Sequence, residues 1–123
     1  MRNLILIIFF AVALAGCSAT TRLSSEETFR ITARQADQII LDSIHEGWHD
    51  QDIEALGEGK IGYKFRLWWK RDYDDITAEA IPHANNIYSF RVVNFGSAPY
   101  VGDPARIKLI TLIVKKAKVA SGQ

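Results

Sequence analysis

From Ile61 to Trp69 the chain alternates without a break, and that run decides most of what it can fold into. Ile61, Tyr63, Phe65, Leu67 and Trp69 fall on one side of an extended backbone; Gly62, Lys64, Arg66, Trp68 and then Lys70 fall on the other. Successive strand side chains point to opposite faces, so the segment reads as a half-buried strand of an antiparallel sheet. Residues 71–74 read as a turn and residues 76–82 as the returning strand. Pairing Lys70 with Asp75 sets Arg66 opposite Glu79 and Trp68 opposite Thr77 on the outer face. On the inner face the same register sets Leu67 against Ala78 and Phe65 against Ala80, so the two faces agree. A second turn at residues 83–86 precedes a strand with Tyr88, Phe90 and Val92 inward. Arg91 then lies opposite Glu79, and Glu79 is expected between Arg66 and Arg91.

The flanking segments supply the remaining elements. Residues 28–32 alternate, with Phe29 and Ile31 on one side, and suit a short strand. Residues 33–48 change to a helical period, with Ala33, Ala36, Ile40 and Ile44 on one stripe and Arg34, Asp37, Gln38 and Asp42 away from it. Gly47 weakens that helix near its end, and residues 50–52 are placed to cap a second short turn closed by Gly57. Residues 96–104 hold two glycines and two prolines and read as a loop. Residues 107–114 are almost continuously apolar, which suits a central strand, with Lys115, Lys116 and Lys118 ending it in solvent. The expected fold class is therefore α+β: one main N-terminal helix packed on an antiparallel meander sheet of four to five strands.

The N-terminus has a different character. Arg2 is followed by eleven apolar residues, Leu4 to Leu14, and then by small residues, the pattern of a secretory signal. A helix that long covers only about half of a bilayer core, which argues against a permanent span. Leu14-Ala15-Gly16-Cys17 resembles the lipobox of bacterial lipoproteins, which are cleaved before the cysteine and acylated on it. The resemblance covers only the first residues, to about residue 20. It implies removal of residues 1–16, lipidation of Cys17 and a membrane partner reached through that lipid. Ser18, not an aspartate, resembles the signal for transport to the outer membrane, so the expected place is the cell envelope, facing the periplasm. The alternative is ordinary cleavage after the Ala13-Leu14-Ala15 run. Cys17 is the single cysteine, and acylation gives it a task that a lone thiol in an oxidising compartment otherwise lacks. The expected organisation is a lipidated tether over 17–27, one domain over 28–118 and a tail over 119–123.

Charge is divided along the chain. Residues 17–58 carry three basic and nine acidic side chains, a net of −6, and residues 59–123 carry eleven and five, a net of +6. An acidic helix over a more basic sheet accounts for the division, and nucleic acid is not an expected partner of a lipid-anchored envelope protein.

Three patterns bear on chemistry. The outer sheet face presents Lys64, Arg66, Trp68 and Lys70 with Arg91 alongside, and an exposed indole among cations suits a sugar, a phosphate-bearing headgroup or an envelope protein partner. The string His45-Glu46-Gly47-Trp48-His49 is a formal match to His-Glu-x-x-His and resembles the zincin peptidases over five residues. That resemblance implies His45 and His49 as zinc ligands and Glu46 as general base. Against it, both histidines lie about 140–180° from Ile40 on a helical wheel, opposite the core stripe. Asp50-x-Asp52-x-Glu54 is not a calcium loop, because Ala55 and Ile61 stand where glycine and glutamate are needed. The expected function is a non-catalytic binding or accessory domain of an anchored lipoprotein, without a cofactor. The alternatives are the zinc hydrolase and a structural, self-associating envelope component.

Overall fold

The computed structural model describes residues 22–24, 27–49, 51–69, 71–96 and 103–123. In chain order the elements are β1 (Arg22–Ser24), β2 (Phe29–Arg30), α1 (Ala33–Gly47), β3 (Glu54–Ala55), β4 (Ile61–Trp69), β5 (Asp72–Ala84), β6 (Ile87–Asn94) and α2 (Pro104–Ser121). The strands form one antiparallel sheet in the order β1-β6-β5-β4-β3, and β2 shares the β6 edge with β1. The architecture is α+β, as the pattern implies, but it has two helices, and the longer one is C-terminal.

The hairpin forms with the expected faces and a different register. Arg66 pairs with Asp75, Leu67 with Asp74 and Trp68 with Tyr73, so the strands are displaced by four residues from the Lys70–Asp75 pairing. Trp69 pairs with Asp72, leaving a two-residue connection where the sequence suggested a longer turn. An even displacement returns every side chain to its own face, so the alternation is blind to it. The next pairing is the expected one: Glu79 lies opposite Arg91, although its other neighbour is Gly62 and not Arg66. The turn between β5 and β6 is tighter than residues 83–86, with Ala84 paired to Ile87 and a bulge between Pro82 and Ala84. Asn86 takes the left-handed conformation that so short a turn requires.

Helix α1 begins in a capping box. The Gln35 N–H donates to Thr32 Oγ1 at 3.1 Å, and the Thr32 N–H donates to Gln35 Oε1 at 2.8 Å, satisfying two donors that the first turn leaves open. Ala36, Ile39, Ile40, Ser43 and Ile44 are buried, whereas Ala33 is exposed and does not belong to the stripe. Each fully buried aliphatic side chain of this kind contributes about 1.5–3 kcal/mol. The helix stops at Gly47, and Trp48 turns extended to lay its ring 5.2 Å from that of Phe65. Residues 54–55, expected near the end of a helical turn, instead form β3 against Tyr63 and Lys64.

The segment 107–114 is helical and not a strand. Buried positions recur at Ala105, Arg106, Leu109, Ile110, Ile113 and Ala117, the three-and-four spacing of one helical face. Pro104 sits at the start, where its missing N–H costs nothing, and Gly122 closes the end in the left-handed region. The helix runs on to Ser121, so residues 119–121 belong to it and not to a tail. Arg22–Ser24, expected in the tether, pairs with Val93, Val92 and Arg91 of β6.

Both helices pack on one face of the sheet and against each other. Phe29, Ile31, Phe65, Ile76, Ala78, Phe90 and Val92 meet Ile40, Ile44, Leu109 and Ile113 in a single core. Ala78 and Ala80 in the middle of β5 leave the space that the helices fill. Where β5, β6 and α2 converge, a buried polar cluster replaces apolar packing. Asn94 donates to Asp74 Oδ1 at 2.8 Å and to Asp103 Oδ1 at 3.0 Å, while Arg106 Nε stands 3.1 Å from Asp103 Oδ2. The Asn94 side-chain Oδ1 accepts from the N–H groups of Gly96 and Asp75. One side chain thus pins two strands, a loop and the helix entrance.

Candidate functional site

With the helices on one side, the outward residues of β4, β5 and β6 form a face that neither helix covers. Gly62, Lys64, Arg66 and Trp68 line up along β4, Tyr73, Asp75, Thr77 and Glu79 along β5, and Arg91 and Val93 along β6. Every candidate residue in the described part of that face is where the alternation put it. Lys70 lies outside the described residues, as does Cys17.

Lys64, Arg66 and Arg91 of the described face are each held by a carboxylate. Lys64 Nζ is 3.7 Å from Glu54 of the edge strand, Arg66 Nη2 is 3.2 Å from Asp75 Oδ2, and Arg91 Nε donates to Glu79 Oε1 at 3.0 Å. Arg66 also places Nε 3.5 Å from Asp75 Oδ1, and this hydrogen-bonded pair raises its pKa further. The Arg66 guanidinium carbon lies 4.0 Å from the Tyr73 ring centre and 5.4 Å from that of Trp68. The two rings are 5.3 Å apart, and Trp68 remains 63% exposed. Stacking and pairing together fix a long side chain that is otherwise free, so the Arg66-Trp68-Tyr73 group is rigid before any ligand arrives. Beside it, a groove of about 310 Å³ runs between Asp52, Glu54, Lys64, Arg66 and Asp75.

The pairing of Lys64 with Glu54 was hidden because residues 50–57 read as a cap and turn. Phe95 was also missed as a surface feature. It is 69% exposed, and its N–H donates to the Asp75 carbonyl at 2.8 Å, which extends the sheet by one rung. The signal was present: Phe95 continues the outward set of Arg91 and Val93 at a spacing of two.

The His45-Glu46-x-x-His49 string does not take up the zincin arrangement. His45 is exposed on the last turn of α1, and His49 lies beyond the extended Trp48 in a turn. Two ligands on successive helical turns need continuous helix, and here it has ended between them. Glu46 is engaged by Lys116 of α2 at 2.7 Å, and that hydrogen bond holds its carboxyl below the usual range. Among the described residues no three His, Cys, Asp or Glu side chains are grouped to hold a metal ion. The same helix end is closed by Lys108, which donates to the Gly47 carbonyl at 3.1 Å and lies over the Trp48 ring. This is a structural junction between the two helices.

No protein-family model matches the chain, and no curated protein matches it significantly.

Proposed function

We propose that this chain is a bacterial envelope lipoprotein, acylated at Cys17 and held at the outer membrane, whose small periplasmic domain binds a partner and performs no catalysis. The reading joins the Leu14-Ala15-Gly16-Cys17 string to one structural observation. The sheet keeps a helix-free face on which Lys64, Arg66 and Arg91 are held by carboxylates beside an exposed, stacked Trp68. Paired charges present directional donors and acceptors without the desolvation cost of lone ions. Such a surface recognises a polar envelope protein or glycan by geometry and not by net charge.

Two measurements test the reading. The mass of the mature N-terminal peptide should begin at Cys17 and carry acyl chains; an unmodified Cys17 overturns the anchor. A photo-cross-linking residue at Lys64 should capture an envelope component in cells, while the same residue at Arg34, exposed on α1, should not. Capture at Arg34 alone would move the binding surface to the helical side.

A further inference from the structure

The register of the sheet turns the N-terminal end of β1 and the exposed aromatic side chains toward the same end of the molecule. Arg22, the first residue of β1, pairs with Val93; Val93 pairs with Thr77, and Thr77 with Lys64. Antiparallel pairing points the N-terminal end of β1 the way β6 runs toward Phe95 and β4 runs toward Trp68. Trp68 lies four residues beyond Lys64 along β4, about 13 Å at strand rise. Only five peptide units separate Cys17 from Arg22, a reach of at most about 18 Å when fully extended. A tether that short keeps this end of the sheet within reach of the surface in which the lipid is buried.

The side chains at that end suit such a surface. Trp68 is 63% exposed, Phe95 is 69% exposed, and Tyr73 stacks on Trp68, all on the helix-free face. Tryptophan and tyrosine settle at the headgroup level because an apolar ring and a polar atom are satisfied there together. Leaving two large apolar side chains beside a lipid anchor in water has a cost that contact with the bilayer removes.

We infer that the Trp68-Tyr73-Phe95 end of the sheet rests in the headgroup layer of the membrane that holds the Cys17 lipid, as a second contact that fixes the domain's orientation. The inference rests on the anchor proposed above and names the bilayer as what the aromatic end of that face meets. Lys64 and Arg91, farther back along their strands, are left for the envelope partner. Arg66, stacked on Trp68 and Tyr73, is neutralised by Asp75, so the exposed rings dominate an interfacial contact, with the exposed Arg71 of the connecting turn beside them. It should therefore persist in zwitterionic lipid and in high salt.

The test uses the full lipidated protein purified from membranes and reconstituted into vesicles of phosphatidylcholine, with or without bromine on the upper acyl carbons. Bromine quenches indole emission only at contact distance. Brominated vesicles should quench the native protein, and Trp68→Phe should remove most of that quenching although Trp48 and Trp69 remain. Adding Phe95→Trp to Trp68→Phe should restore it. Raising the salt should leave the quenching unchanged. If Cys17 is acylated and the emission is the same in both vesicles, the docking is wrong and the anchor stands. If Cys17 is unmodified, both fall. A protein that co-purifies in stoichiometric amount and shields Trp68 from bromine would assign this end to that protein and also overturn the inference.

Discussion

Single residues carry two consequences that alternation alone does not show. Gly62 occupies an outward position of β4 that the pattern treats as ordinary, yet Leu56 folds across it from the end of β3. A Cβ there would stand 2.4 Å from the Ala78 carbonyl oxygen, 2.9 Å from Glu79 Cα and 2.6 Å from Leu56 Cδ1. Two of the three atoms are backbone and cannot move aside, so Gly62→Ala should cost about 1–3 kcal/mol in a urea titration, as overpacking does. A change within error would mean that the edge strand shifts freely. Tyr63 shows the same dependence on a distant partner. Its hydroxyl donates to Asp37 Oδ1 of α1 at 2.7 Å; that bond, then burial, raises its pKa to about 12. The native state therefore keeps the phenolic proton to higher pH than the unfolded chain does. Its stabilising share is complete below about pH 10 and is lost as the pH climbs from there toward 12. Absorbance titration should find Tyr63 ionising late, and Asp37→Ala should return it toward the ordinary range. Neither contact was legible, because each joins residues far apart in sequence.

At the scale of elements, legibility depended on how long the periodic signal ran. Nine alternating residues made β4 unmistakable and put Lys64, Arg66 and Trp68 on the correct face. They could not set the rung, because turn length decides it and any even slip keeps the faces. Helix α1 was visible from its stripe, and its capping box added a start signal in Thr32 and Gln35. Helix α2 was lost because residues 107–114 form a nearly unbroken apolar window in which a buried strand and a helix look alike. The deciding residues lie outside that window: Pro104 before it, Ala117 and Gly122 after it. The two readings separate experimentally. In a strand Ile107 and Ile113 share a face; in α2 Ile113 is fully buried and Ile107 is 46% exposed. Ile113→Ala should cost about 2–5 kcal/mol and Ile107→Ala less than about 1 kcal/mol by chemical denaturation. Equal costs would return the segment to the sheet.

For the whole molecule, the division of charge along the chain becomes contact between its halves. Glu54 meets Lys64, Glu46 meets Lys116, and Asp37 accepts from Tyr63, each pair joining the acidic first part to the second. Exposed pairs of this sort steer docking more than they stabilise it. What unites the layers is the core, and Ile40 sits at its centre with no exposed surface, on the helix that touches β4, β5 and α2. Ile40→Asp removes the apolar contact and leaves a carboxylate in the core. An uncompensated buried charge costs about 3–5 kcal/mol and the lost aliphatic side chain about 2–5 kcal/mol more, together comparable with the total of about 5–15 kcal/mol for an ordinary domain. The variant should have lost its cooperative melting transition at 37 °C, while Ile40→Val, at about 0.5–1.5 kcal/mol, keeps it. Because one core serves both helices and the sheet, far-ultraviolet and near-ultraviolet dichroism should disappear together. A native melting curve for Ile40→Asp would refute this packing. Loss of helical signal with the sheet's tertiary signal retained would show α1 to be a separable layer, and the helix-free face could then survive without it.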